Sequence, residues 1–278
     1  MVFTRERAGF RGLFAVGLLG LCAMLVSTAG PVFSRVYEPV SLADMQVEFR
    51  GEPPQAITAQ TADGLTLAGA YWPPDEGVDQ IVVVFHGNSY NHLVIAVRAE
   101  PLRVGGRGVL VASCRGFGDN PGKPSETGLY RDADAWVAKA RELQPDARVY
   151  LFGFSLGGAV ALEMAVRHDV TAVATLGAFT SLKDAAPALL RPFVTKQYDN
   201  LETITRVNEP ILLLHGTKDE TVDTRMAERL EKAGGANVIR INLTGGGHWV
   251  PLDSIVEKIW QQWEAAEAGK PAAAENAP

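Results

Sequence analysis

The sequence predicts an α/β protein with a mainly parallel central sheet, helices on both faces, an antiparallel N-terminal edge and a short lid. Three observations carry that expectation. Short, near-continuous apolar runs alternate with stretches of helical period, as strands buried on both faces do when helices connect them. Asp63-Gly64 joins two shorter runs upstream, a strong hairpin signal. The 278 residues are 47% hydrophobic, 21% charged and 8% aromatic, a globular composition and not that of a disordered, collagenous or coiled-coil chain.

At the N-terminus, Arg5, Arg7 and Arg11 precede an apolar run from Leu13 to Val26, after which Ser27, Thr28, Ala29 and Gly30 bring in small residues. A charged region before a hydrophobic one is the layout of an export signal. Extended to Phe33, the same run makes a helix of roughly 30 Å, at about 1.5 Å per residue, enough to span a bilayer. Residues 1–35 therefore read either as a retained membrane anchor or as a cleaved signal. In both cases the arginines stay in the cytoplasm and the following domain works outside it, tethered, secreted or periplasmic.

Residues 46–49, 56–61 and 65–72 read as short strands, the last two forming the hairpin. Pro73, Pro74, Asp75 and Gly77 then break the chain. Parallel strands are expected at 81–85, 109–114, 149–152, 170–176, 211–214 and 238–243. Helical period marks 129–143, 156–167, 224–232 and 254–263. The predicted domain covers residues 45–264. Residues 265–278, rich in Ala, Glu and Pro, lack the large apolar groups that offset ordering entropy and read as a disordered tail.

A formal charge of −6 speaks against a nucleic-acid partner. Cys22 and Cys114 are the only cysteines, so there is no disulfide framework and no paired CxxC zinc site. No metal and no cofactor are expected.

Gly153-Phe154-Ser155-Leu156-Gly157 carries the chemistry. It follows the strand at 149–152 and opens the next helix, the context in which Gly-x-Ser-x-Gly lifts a serine above the sheet edge. The N–H of Leu156, at the helix N-terminus, can face an oxyanion. A serine hydroxyl needs an adjacent imidazole to take its proton. His86 and His215 end apolar strands, His92 lies in a loop or at a helix start, and His168 closes a helix; all four read as structural. His248 differs. It follows Gly245-Gly246-Gly247 at the carboxyl edge of the sheet, where open α/β sheets bind ligands. The carboxylate that orients it is Asp219, just past the strand at 211–214, with Asp223 the competitor. A second oxyanion donor is expected from the loop after the first parallel strand, at the N–H of Asn88.

His86-Gly87-Asn88, Arg115-Gly116-Phe117-Gly118, Gly153-Phe154-Ser155-Leu156-Gly157-Gly158, Tyr198-Asp199-Asn200-Leu201, His215-Gly216 with Asp219 and Val222, and Gly247-His248 occur in this order. Together they resemble the α/β-hydrolase superfamily, and within it the small membrane-tethered bud-emergence-type hydrolases related to the serine aminopeptidase type. The resemblance runs over residues 57–263. It implies a triad of Ser155, Asp219 and His248, with Asn88 and Leu156 framing the oxyanion hole. Two departures bear on substrate preference: Tyr90 stands where the family often has a small residue, and Asn120-Pro121 replaces a serine-containing stretch. Between Thr180 and Pro210 there is room for only a modest flap.

The expected function is hydrolysis of a small acyl ester, thioester or amide through an acyl-enzyme. Esters and thioesters are favoured over peptides because no acidic cluster for a peptide amine is visible in the sequence. A serine nucleophile disfavours dehalogenase and epoxide-hydrolase chemistry. The alternative is a non-catalytic, membrane-tethered interaction protein that keeps the fold.

Overall fold

The apolar runs assemble into an eight-stranded sheet. The computed structural model describes residues 36–44 and 47–269. The elements below lie in the compact unit Pro39–Pro278. The expected signal or anchor at 1–35 falls outside the described residues. Among the described residues, no helix is long and apolar enough to cross a membrane.

The strands are β1 (Gln55–Gln60), β2 (Thr66–Trp72), β3 (Gln80–Phe85), β4 (Gly108–Ala112), β5 (Arg148–Phe154), β6 (Ala172–Leu176), β7 (Ile211–Gly216) and β8 (Val238–Leu243). Their order across the sheet is β1-β2-β4-β3-β5-β6-β7-β8. The β1–β2 hairpin and the β2–β4 pair are antiparallel, and every other neighbour is parallel. The chain moves from β3 outward to β4, then returns to place β5 on the other side of β3. That reversal opens a crevice beyond the carboxyl ends of β3 and β5, where ligands enter such sheets.

Five principal helices cover the sheet: α1 (His92–Ala99), α2 (Glu126–Leu143), α3 (Leu156–Arg167), α4 (Arg225–Gly234) and α5 (Val256–Glu267). Alternate strand residues Val82, Val84, Val109, Val111, Tyr150 and Phe152 share one core with Ile95 and Ala96 of α1 and Trp260 and Trp263 of α5. Trp260 meets Tyr150 edge-on with ring centroids 5.1 Å apart, and Trp263 lies tilted against the same ring at 4.9 Å.

The sequence left His92 open between loop and helix. It starts α1 because Asn91 Oδ1 accepts the N–H groups of Leu93 and Val94, both at 3.1 Å, two donors that the first turn cannot satisfy internally. The strand expected at 46–49 does not form over residues 47–49. Phe49 instead meets Trp72 edge-on at 5.7 Å, so its apolarity serves a loop that covers the core. The helix α5 runs to Glu267, three residues past the expected domain end. Glu264 pairs with Arg107 at 2.5 Å and Glu267 with Arg148, which fixes the last turn. Between β6 and β7 there are only short helical turns, at Leu182–Ala185, Arg191–Phe193, Asn200–Thr203 and Ile204–Arg206. A modest flap is what that length allows.

Candidate active site

Parallel register sets Phe85 beside Gly153, Phe154 beside Leu176, and Leu176 beside Leu214. The loops after β3, β5 and β7 therefore open on one edge. Ser155 follows β5 directly, with φ 51° and ψ −114°, a conformation that residues with a Cβ rarely adopt. Its N–H donates to Leu176 O at 2.9 Å, which ties the strained residue to the neighbouring strand. The flanking glycines are required by close approach. A Cβ on Gly153 would lie 2.3 Å from Gly157 O, and one on Gly157 would lie 2.1 Å from Phe85 O.

Asp219 stands three residues past β7. Its Oδ1 accepts the N–H groups of Thr221 and Val222, both at 2.8 Å, which fixes the carboxylate rotamer. Its Oδ2 faces His248 Nδ1 at 2.8 Å, and His248 Nε2 lies 3.0 Å from Ser155 Oγ. The three side chains thus form one continuous hydrogen-bonded line. The competitor Asp223 is turned away onto Arg225.

A carboxylate accepts, so Nδ1 carries the proton and Nε2 is left to accept from the serine hydroxyl. Burial alone would raise the Asp219 pKa. Hydrogen bonds from His215, His248 and the Val222 N–H outweigh it and hold the carboxyl below its ordinary range. Gly216 permits the last approach: a Cβ there would meet Gly247 O at 2.2 Å, pushing the His248 loop off β7. The Phe154 ring lies against the imidazole at 5.0 Å.

Leu156 opens α3, a position whose N–H has no intrahelical carbonyl to bind. Asn88 lies in the loop that leaves β3 next to the Ser155 turn. His86 fixes that loop. Its Nδ1 donates to Gly87 O at 2.7 Å and its Nε2 accepts the Cys114 N–H at 3.3 Å, and burial pulls its pKa down to about 4. His168 pairs with Asp134.

His215 does more than end a strand. It is fully buried, its Nε2–H donates to Val222 O at 2.9 Å, and the same nitrogen lies 3.2 Å from Asp219 Oδ2. It therefore backs the carboxylate that faces His248. The His-Gly-x-x-Asp spacing was the available signal for it.

Arg115, from the Arg-Gly-Phe-Gly motif, and Asn120, from the departure that follows it, both act as supports. Arg115 grips Asp132 through Nε and Nη2 and Asp63 through both terminal nitrogens, at 2.7–3.1 Å. It ties the β1–β2 turn to α2. Asn120 Oδ1 accepts the Ala68 N–H at 2.7 Å and its Nδ2 donates to Ala68 O at 3.3 Å. Because β2 pairs with β4 only at residues 70–72, Ala68 has no strand partner on that side, and Asn120 takes the place.

Beside Asp219, a cleft of about 370 Å³ opens between the flap at Asp184–Arg191 and the loop carrying Glu220, Thr221 and Asp223. It brings together carboxylates that the sequence leaves dispersed. Arg229 neutralises Asp184 at 3.0 Å and Arg225 neutralises Asp223. Among the described residues, no group of three His, Cys, Asp or Glu side chains is arranged to hold a metal ion.

A family model described as "Serine aminopeptidase, S33" matches residues 76–203. The chain is 35% identical over 201 residues to an uncharacterized protein of Mycobacterium tuberculosis, covering 69% of this chain and 71% of that one. It is 33% identical over 112 residues to alpha/beta hydrolase domain-containing protein 17B of Xenopus laevis, covering 39% of this chain and 38% of the relative. An esterase of Pyrococcus furiosus superposes with a TM-score of 0.63 at 19% identity, over 84% of this chain and 96% of the esterase. That last likeness is one of fold.

Proposed function

The chain belongs to the serine aminopeptidase S33 family of α/β hydrolases, and from that premise we propose that it cleaves small acyl esters or thioesters through an acyl-enzyme on Ser155. The observation that carries the reading is the unbroken line Ser155–His248–Asp219, at 3.0 and 2.8 Å. His248 Nε2 takes the hydroxyl proton as Ser155 Oγ attacks the carbonyl carbon. Asp219, ionised and fixed by two backbone N–H groups, holds the tautomer and stabilises the imidazolium. The N–H groups of Leu156 and Asn88 receive the negative charge on the tetrahedral oxygen, a term worth about 3 kcal/mol per donor. The imidazolium then protonates the leaving group, and water repeats the sequence to release the acid.

Esters and thioesters fit better than peptides because, of the four carboxylates lining the cleft, Asp184 and Asp223 are engaged by arginines and Asp219 by His248, which leaves Glu220 alone rather than a cluster to hold a peptide amine. The apolar run at residues 13–33 supports a location outside the cytoplasm, tethered or released. Mass spectrometry of the mature N-terminus distinguishes the two. The function itself is tested with a fluorophosphonate probe on folded protein. The expected result is a single adduct on Ser155, lost in Ser155→Ala. Absence of labelling overturns the reading and leaves a non-catalytic interaction protein.

A further inference from the structure

Arg98, on the last turn of α1, stacks on two aromatic rings. Its guanidinium carbon lies 4.2 Å from the Tyr90 ring centroid and 4.8 Å from that of Trp249. Both rings come from segments that flank the site: Tyr90, in the two-residue strand Ser89–Tyr90, is two residues past Asn88, and Trp249 directly follows His248. Trp249 meets Phe154 edge-on at 4.9 Å, and Phe154 lies against His248. The guanidinium is thus two rings away from the imidazole.

Three further features point to a ligand. Arg98 has no carboxylate or hydrogen-bond partner among the described residues, in a chain of net charge −6 where Arg50, Arg107, Arg115, Arg148, Arg167 and Arg240 all hold acids. Glu100, two residues on, is engaged by the backbone N–H groups of Arg50 and Gly51. Tyr90 holds φ 74°, an outlier for a bulky residue and a form of strain that collects at ligand sites. The two ring contacts leave the guanidinium N–H groups without a hydrogen-bond acceptor among the described residues, and their planar fork matches carboxylate or phosphate oxygens.

We propose that Arg98, held against Tyr90 and Trp249, forms an anion subsite at the rim of the Ser155 site and selects ester substrates that carry a carboxylate or phosphate. The inference rests on the hydrolase reading and names its substrate class. It also gives Tyr90, one of the two departures from the family pattern, a function in specificity.

The test compares kcat/KM for mono-p-nitrophenyl glutarate with that for p-nitrophenyl valerate, which has the same chain length without the charge. A second pair, 4-acetoxybenzoate and its methyl ester, places the anion on the leaving group. In at least one pair, Arg98→Met is expected to lower the anionic-to-neutral ratio tenfold or more, the size of one charge-assisted hydrogen bond, and Arg98→Lys to lower it less. Ratios unmoved within twofold in both pairs overturn the subsite.

Binding to the wild-type protein supplies a readout independent of variant folding. Glutarate or inorganic phosphate, each at matched ionic strength, is expected to compete with valerate ester hydrolysis, and the stronger competitor identifies the anion. Competition by neither overturns the proposal. Wild-type turnover of the valerate ester keeps the hydrolase reading in place when the subsite fails, whereas turnover of no ester at all overturns both.

Discussion

Gly157 and Gly158 are adjacent in α3, yet a methyl group added to each should have opposite effects. At Gly157 the new Cβ would lie 2.1 Å from Phe85 O and 2.6 Å from His86 O, both backbone atoms that no side-chain rotation can clear. The end of β3 and the start of α3 must part by about 1 Å before the contact reaches even 3.0 Å. Overpacking of this kind costs about 1–3 kcal/mol, and a backbone obstacle places Gly157→Ala at the upper end. For a domain of this size that lowers Tm by roughly 6–12 °C. The same displacement separates the loop bearing Asn88 from the turn bearing Ser155, and about 1 Å of misplacement can cost 10²-fold in rate. At Gly158 the Cβ would sit 3.4–3.5 Å from side-chain carbons of Thr175 and Ala178, an ordinary contact. Removing backbone freedom there stabilises by up to about 1 kcal/mol. Thermal melts and ester kinetics on both variants check the pair. A Gly157→Ala protein with wild-type Tm and kcat would refute the steric account of the turn.

Three further outcomes follow from the supports of the site. His86 has a folded pKa of about 4 against an ordinary 6.5. Between those values the unfolded chain binds a proton that the folded chain refuses. Stability therefore rises with pH across that window and falls on acidification, by about 3 kcal/mol in total. Urea midpoints at pH 7 and 4.5 should differ less in His86→Asn than in the wild type. Arg115→Met leaves Asp132 buried without its partner and should cost about 3–5 kcal/mol, with much of the loss recovered in Arg115→Met/Asp132→Leu, as urea titration would show. Asn120→Ala strips Ala68 of its partners and should cost about 1–3 kcal/mol, while an ester chain-length profile on the same protein keeps its wild-type shape.

What the sequence made legible was what local sterics and strand periodicity control. Gly153 and Gly157 bracket Ser155 because each has backbone within 2.6 Å of where a Cβ would sit, so the turn could be read from five residues. The strands at 81–85 and 211–214 were clear because burial on both faces leaves an unbroken apolar run. Residues 47–49 misled for the same reason, since a loop that covers Trp72 is as apolar there as an edge strand. Partners distant in the chain were not legible. Nothing local to Arg115 reveals Asp63 and Asp132, and nothing near Asn120 reveals the unpaired backbone of Ala68. His215 read as a strand-end residue because its role depends on how Asp219 folds back over four residues.

In the proposed mechanism Ser155 and His248 act as one unit on the substrate carbonyl. Steady-state hydrolysis of p-nitrophenyl acetate by Ser155→Ala, His248→Ala and the double variant puts that coupling to the test. Each single variant is expected to fall to the same residual rate as the double, because groups that act together cannot be lost twice. Losses that multiply independently, or substantial turnover in Ser155→Ala, would contradict it.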